Sequence, residues 1–244
     1  MAAELALSNR LAAERRFFIG MALAIVASVF LGFARSFYLR PLFPDTPAPT
    51  ESIFLVHGVV FSCWIVLLLA QVTFIARKRV DLHRQAGALG VVLALAVVVL
   101  GITAAIVAAR RPGGFIGIPL PPLQFLAVPL ASMVMFSIFV TSGIARRRDP
   151  QAHKRYMLLA SIQMVTPAIA RWPVASAYGP PAFFALTDVF VIALAIWDFR
   201  SRGRLHPVTL WGGLATILAQ PAQLALLSTE PWLDIARWIT GMPG

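Results

Sequence analysis

Seven apolar stretches alternate along the chain with short polar connections, over residues 17–39, 52–76, 87–109, 123–145, 155–177, 182–199 and 208–228. Each comes close to the ~20 apolar residues that an α-helix needs to cross the hydrocarbon core of a bilayer. The pattern predicts an all-α protein, an integral membrane seven-helix bundle spanning 17–228. A polar segment, 1–16, precedes it, unlike a cleavable leader with its short apolar core, and is expected to be retained. The tail, 229–244, sets Trp232, Ile235, Ala236 and Ile239 on one side of a helix, the pattern of a short amphipathic segment lying on the membrane surface.

The connections carry their own signals. RPLFPDTPAPTE is a stiff, helix-averse link between the first two spans, and YGPP is a tight turn between the fifth and sixth. RRPGGFIGIPLPP is too rich in Gly and Pro for a helix and is expected to lie in the interface or dip back as a lid. The third span is almost purely Ala, Val, Leu and Gly, so Gly87, Gly90 and Gly101 suit close helix packing and mark it as scaffold.

Composition agrees with a membrane setting. Of 244 residues 59% are hydrophobic and 13% charged, and mean hydropathy is +0.80, against about 25% charged in soluble domains. A formal charge of +11 raises the question of nucleic acid, but the cations gather at alternate boundaries and form no basic domain. The N-terminus and the second, fourth and sixth connections hold fifteen of the 21 lysines and arginines. The cation-rich side faces the cytoplasm, which puts the N-terminus inside and the C-terminus outside in a bacterial inner membrane, with anionic lipids as partners at the cytoplasmic face. The single cysteine, Cys63, reads as a small buried residue.

Within this frame the stretch from His153 to Trp172 stands out, because it carries Arg171 deep in a span, where an arginine costs at least ~2.5 kcal/mol unless paired or functional. His153, Lys154 and Arg155 open the same span as a basic collar at the cytoplasmic boundary. Counting from the outer ends puts His57, Arg171 and Asp188 within about one turn of the same depth. The fifth and sixth spans are consecutive and antiparallel, so an Arg171–Asp188 ion pair is expected. Thr209, Gly213, Thr216, Gln220 and Gln223 follow helical spacing on the last span, and His57, Trp64 and Gln71 repeat every seven on the second. Gln124, Ser132 and Arg35 add polar groups from the fourth and first spans, and Gln163, Pro167 and Arg171 share a face. Pro129, Pro167 and Pro221 each remove a backbone bond and free the carbonyls of Phe125, Gln163 and Ile217.

These features together predict an outward-facing polar cavity that binds a small ligand or relays protons, built on His57, Arg171, Asp188, Gln163, Gln220, Gln124 and Arg35. Arg171 holds an anionic or carbonyl group, Asp188 orients Arg171, and His57 exchanges a proton. The plainer alternative is a polar network that only fixes helix packing, in an accessory subunit of a membrane complex or a homo-oligomer. A third reading is redox. His83, His153 and His206 stand at one level on the cytoplasmic side, where they contact anionic lipid, make a His₃ metal site with an open position, or hold a haem b. Their basic neighbours oppose a cation, and His57 has no partner histidine in the outer layer.

The runs HGVVFSCWIVLLLAQ, RVDLHRQAG, HKRYMLLAS and PAIARW, with FARSFYLRP, Asp188 and the LHP before the last span, resemble a widespread group of bacterial polytopic inner-membrane proteins without an established activity. The resemblance covers about residues 28 to 220. It implies the membrane fold and puts Arg35, His57, Gln71, His83, His153, Arg171, Asp188 and His206 at motif positions. Neither the retinal lysine of rhodopsins nor the HxxxH helix of metal-binding membrane hydrolases is present.

Overall fold

The computed structural model describes residues 1–243, so the last residue of the 229–244 tail, Gly244, lies outside the described residues. The regular structure of the described residues is helical, with α-helices α1 (Ala2–Phe33), α2 (Ser52–Ala76), α3 (Val80–Arg110), α4 (Pro122–Phe125), α5 (Ala127–Ala145), α6 (Pro150–Gln163), α7 (Thr166–Ile169), α8 (Pro173–Tyr178), α9 (Pro180–Arg202), α10 (Pro207–Leu226) and α11 (Glu230–Thr240). Five helices are long and apolar enough to cross a membrane: α1, α2, α3, α4 with α5, and α9. A sixth crossing is reached if α10 and α11, bent by 89° at their junction, count as one. The chain therefore fits a multi-pass membrane protein.

The expected fifth span is not one helix. Pro167 supplies no N–H, and the backbone ahead of it tightens into three-residue bonds, from Met164 to Ser161 O and from Val165 to Ile162 O. A second break follows at 170–172, before Pro173. At ~1.5 Å per residue the 14 residues of α6 reach only about 21 Å, so α6, α7 and α8 cover the distance together. This broken segment is nonetheless the centre of the molecule. From Leu158 to Ile169 every residue except Pro167 is buried.

Close approach at small residues holds the neighbours around it. A Cβ on Gly32 of α1 would collide with the Ala168 backbone of α7, and one on Gly212 of α10 would meet Leu159 of α6 at 2.5 Å. Gly101 of α3 plays the same part against Met133 of α5, as expected for the scaffold span. Side-chain contacts sort the connections to two ends. Lys154 pairs with Glu14, and His83 faces His153, at one end. Arg111 pairs with Glu51 at 3.0 Å, and Trp232 Nε1 donates to Leu123 O, at the other.

In the C-terminal helix part of the expected membrane-surface face packs against the bundle, Trp232 half-buried and Ala236 fully buried among Ala105, Ala109 and Leu126. Arg110 also donates to Thr240 O. Ile235 and Trp238 are the helix's large apolar residues left exposed. Amphipathicity showed that one face needs cover and left open that α3 and α4 provide it.

Candidate functional site

The expected triad does not assemble around Asp188, although the charge of Arg171 reaches His57. Arg171 lies exposed at the second helix break, its guanidinium donating to Pro167 O at 2.6 Å and resting over the Phe33 ring at 4.4 Å. In an unbroken helix Pro167 O would accept from Arg171 N–H, but that N–H turns to Ala168 O. The side chain therefore closes the gap left by its own backbone, and no carboxylate pairs with it among the described residues. His57 is half-buried with its ring on Phe61, centroids 3.9 Å apart, and its Nδ1 has no partner. The glycine after it has a packing reason, since a Cβ on Gly58 would strike the Phe37 ring. Arg35 sits in the π-turn that ends the first span, over Phe43 at 5.3 Å, and the Gln124 side chain makes no hydrogen bond among the described residues.

Four of the expected polar residues, Gln163, Asp188, Thr216 and Gln220, do come together, joined by Thr166 of α7 and Thr187 of α9, in a seam beside the first helix break. Gln163 Nε2 donates to Thr216 Oγ1 at 3.1 Å, and Thr187 Oγ1 donates to Thr166 Oγ1 at 3.1 Å. Gln220 Nε2 donates to Asp188 Oδ1 at 2.7 Å. Asp188 and Gln220 then face a recess of about 230 Å³ whose remaining walls are Pro181, Phe184, Ala185, Pro221 and Leu224. The second carboxylate oxygen of Asp188 has no hydrogen-bond partner among the described residues. The recess therefore offers an open acceptor in apolar walls, a site for a hydrogen-bond donor, a cation or a proton.

A second polar cluster was missed by sequence reasoning. Arg155 is not a solvated collar residue. It is fully buried and holds the fully buried Asp198 of α9 in a two-pronged ion pair. Its remaining prong donates to the carbonyl and side-chain oxygens of Gln151, both at 2.8 Å. Asp198 Oδ2 also accepts from Thr209 Oγ1 and from the backbone N–H of His206 at 3.1 Å. Arg155 and Asp198 sit at the opposite ends of the same two stretches, where counting residues from the ends would have matched them as it matched Arg171 with Asp188. Every oxygen and prong is engaged, so this cluster fastens α6, α9 and α10 and leaves no valence for a ligand.

The three inner histidines separate. His206 precedes α10 and caps it, its Nδ1 accepting from Val208 N–H at 3.1 Å. Burial, followed by the charges of Arg155 and Arg202, pushes its imidazole below the usual range, and the cap requires the unprotonated nitrogen. His83 and His153 do meet, rings perpendicular and centroids 6.2 Å apart. His153 Nδ1 is held on Gly143 O at 2.8 Å, whereas His83 Nδ1 and Gln71 Oε1 are buried without partners. Among the described residues, no three His, Cys, Asp or Glu side chains are grouped to hold a metal ion, so the alternative of a His₃ set is not formed.

No family model, curated protein or solved structure matches the chain.

Proposed function

We propose that this chain crosses the bacterial inner membrane seven times, N-terminus in the cytoplasm and C-terminus outside. In the outer half it binds a small ligand bearing a cationic or hydrogen-bond-donor group, the proton being the smallest such group. The crossing count treats α6 to α8 as one broken span and α10 as another, and it is supported by the sorting of alternate connections to opposite ends. The orientation follows the lysine and arginine bias. Relative to the seven-residue expectation, the site contracts to Asp188 and Gln220, with Gln163, Thr166, Thr187 and Thr216 positioning their helices.

The observation that carries this reading is Asp188 itself, an intramembrane carboxylate whose hydrogen bond comes from an amide and whose free oxygen faces a recess. An ionisable group in that position is by default a candidate functional site. At about 230 Å³ the recess is smaller than the ~300–1,000 Å³ of drug-sized sites, which suits a small head group or a proton with its water. The test is labelling with a hydrophobic carbodiimide, which attacks protonated carboxyls in apolar surroundings. Peptide mapping is expected to find the adduct on Asp188 and not on Asp198. An unlabelled Asp188 would leave the seam a packing device, as in an accessory subunit.

One observation favours a second reading. His83 and His153 face one another with unpartnered Gln71 and His83 atoms beside them, so a cofactor held by two imidazoles remains the redox alternative. An absorption spectrum of protein purified from its native membrane tests it, a Soret band being the supporting result.

A further inference from the structure

A second recess lies at the other end of α9 and is unrelated to Asp188. It is an open groove of about 540 Å³ lined by Ala195, Ile196, Phe199, Gly203 and Leu205 together with Arg200 and Arg204. Gly203 makes the shape possible. It ends α9 in the left-handed conformation, φ 71°, and turns the chain so that Leu205 and Arg204 come back beside the last helical turn. Both arginines are exposed, and neither makes an ion pair or a side-chain hydrogen bond among the described residues. This contrasts with Arg155 and Arg202 of the same end, which are tied to Asp198 and Gln151.

Above the recess, α9 presents Val189, Ile192, Ile196 and Phe199 outward, all about half-exposed and spaced three or four residues apart. That spacing makes one continuous stripe along the helix. Two free guanidiniums at the boundary and an apolar stripe running from them into the membrane match one chemistry, a phosphodiester with an attached acyl chain. We propose that this recess is a specific site for one anionic phospholipid. Its phosphate is held between Arg200 and Arg204, its glycerol backbone occupies the recess, and one chain lies along the stripe.

The assignment goes beyond the general attraction of a basic face to anionic lipid, and it does not depend on the Asp188 reading. Native mass spectrometry of the full chain, loaded from mixed micelles of phosphatidylglycerol and phosphatidylcholine, tests it. Wild type is expected to retain one phosphatidylglycerol. Arg200→Gln with Arg204→Gln is expected to weaken retention roughly 30-fold, about fivefold for each surface cation removed. Arg146→Gln with Arg148→Gln, which removes the same charge from another exposed connection of this end, is expected to leave it unchanged. Ala195→Phe keeps both arginines but fills the recess, and is expected to abolish retention. Excess glycerol phosphate is expected not to displace the lipid, because it lacks the chain. Equal losses in the two double variants, retention by Ala195→Phe, displacement by glycerol phosphate, or a dimer in place of the lipid adduct would each overturn the proposal.

Discussion

Asp188 and Asp198 stand ten residues apart on α9, and the helix puts them in opposite circumstances. Asp198 is fully buried and saturated by Arg155, Thr209 and the His206 N–H. Asp188 is half-buried, takes its hydrogen bond from an amide, and faces a recess. Two carboxylates of one helix thus separate into one whose valences are spent on holding helices together and one whose valence is open. The lesson is that an acidic residue in a membrane helix is not a site by virtue of its charge. What matters is whether the fold has already supplied its partner.

The largest expected effect breaks the fastened end. Asp198→Ala leaves Arg155 buried and unpaired, at a cost of about 3–5 kcal/mol, and thermal melts in detergent should show a grossly destabilised protein. Arg155→Leu with Asp198→Leu should recover much of that loss, since the pair is structural. Asp188→Asn, by contrast, should melt within about 1 kcal/mol of wild type, because the amide can still accept from Gln220.

A smaller effect probes the helix break beside the open end. Gly32→Val forces a side chain into the Ala168 backbone and should cost about 1–3 kcal/mol by overpacking. The same measurement on Gly20→Val, where a Cβ meets open space, should show little change.

Smaller again is the titration of His206, faced by Arg155, Arg202, Asp198 and Asp149. Its value in the fold is depressed, so the folded state prefers the neutral ring. The unfolded chain takes up a proton below about pH 6.5. Stability from this group is therefore present above that pH and lost as pH falls toward the depressed value. His206→Asn keeps a capping acceptor without the titration and should flatten the dependence of melting temperature on pH between 7 and about 5. The smallest effect belongs to the seam, where Gln163→Leu should cost only about 0.6 kcal/mol, the average of interhelical hydrogen bonds in membranes.

Much of the fold was legible because apolar run length fixes where a helix can cross. The run 52–76 coincides with α2, and the glycines of the third span meet side chains as their spacing implied. A depth count says nothing about the direction a side chain takes around its helix. Arg171 and Asp188 count to one level in the sequence yet face different neighbours. Arg155 was hidden by its company, since the charges in HKRY and in DFRSR read as a solvated boundary until the fold shows one member of each run turned inward. Pro167 announced a disturbance in the fifth span, while the second break before Pro173, and the arginine that mends it, depend on packing against α1.

The contrast between the two aspartates is most directly tested by pH-difference infrared spectroscopy of the protein in lipid, which sees the carbonyl stretch of a carboxyl group as it gains a proton. An intramembrane carboxyl band is expected to appear with acidification in wild type and to be absent from Asp188→Asn. A band that persists unchanged in Asp188→Asn, or a wild-type protein without one, would contradict that contrast.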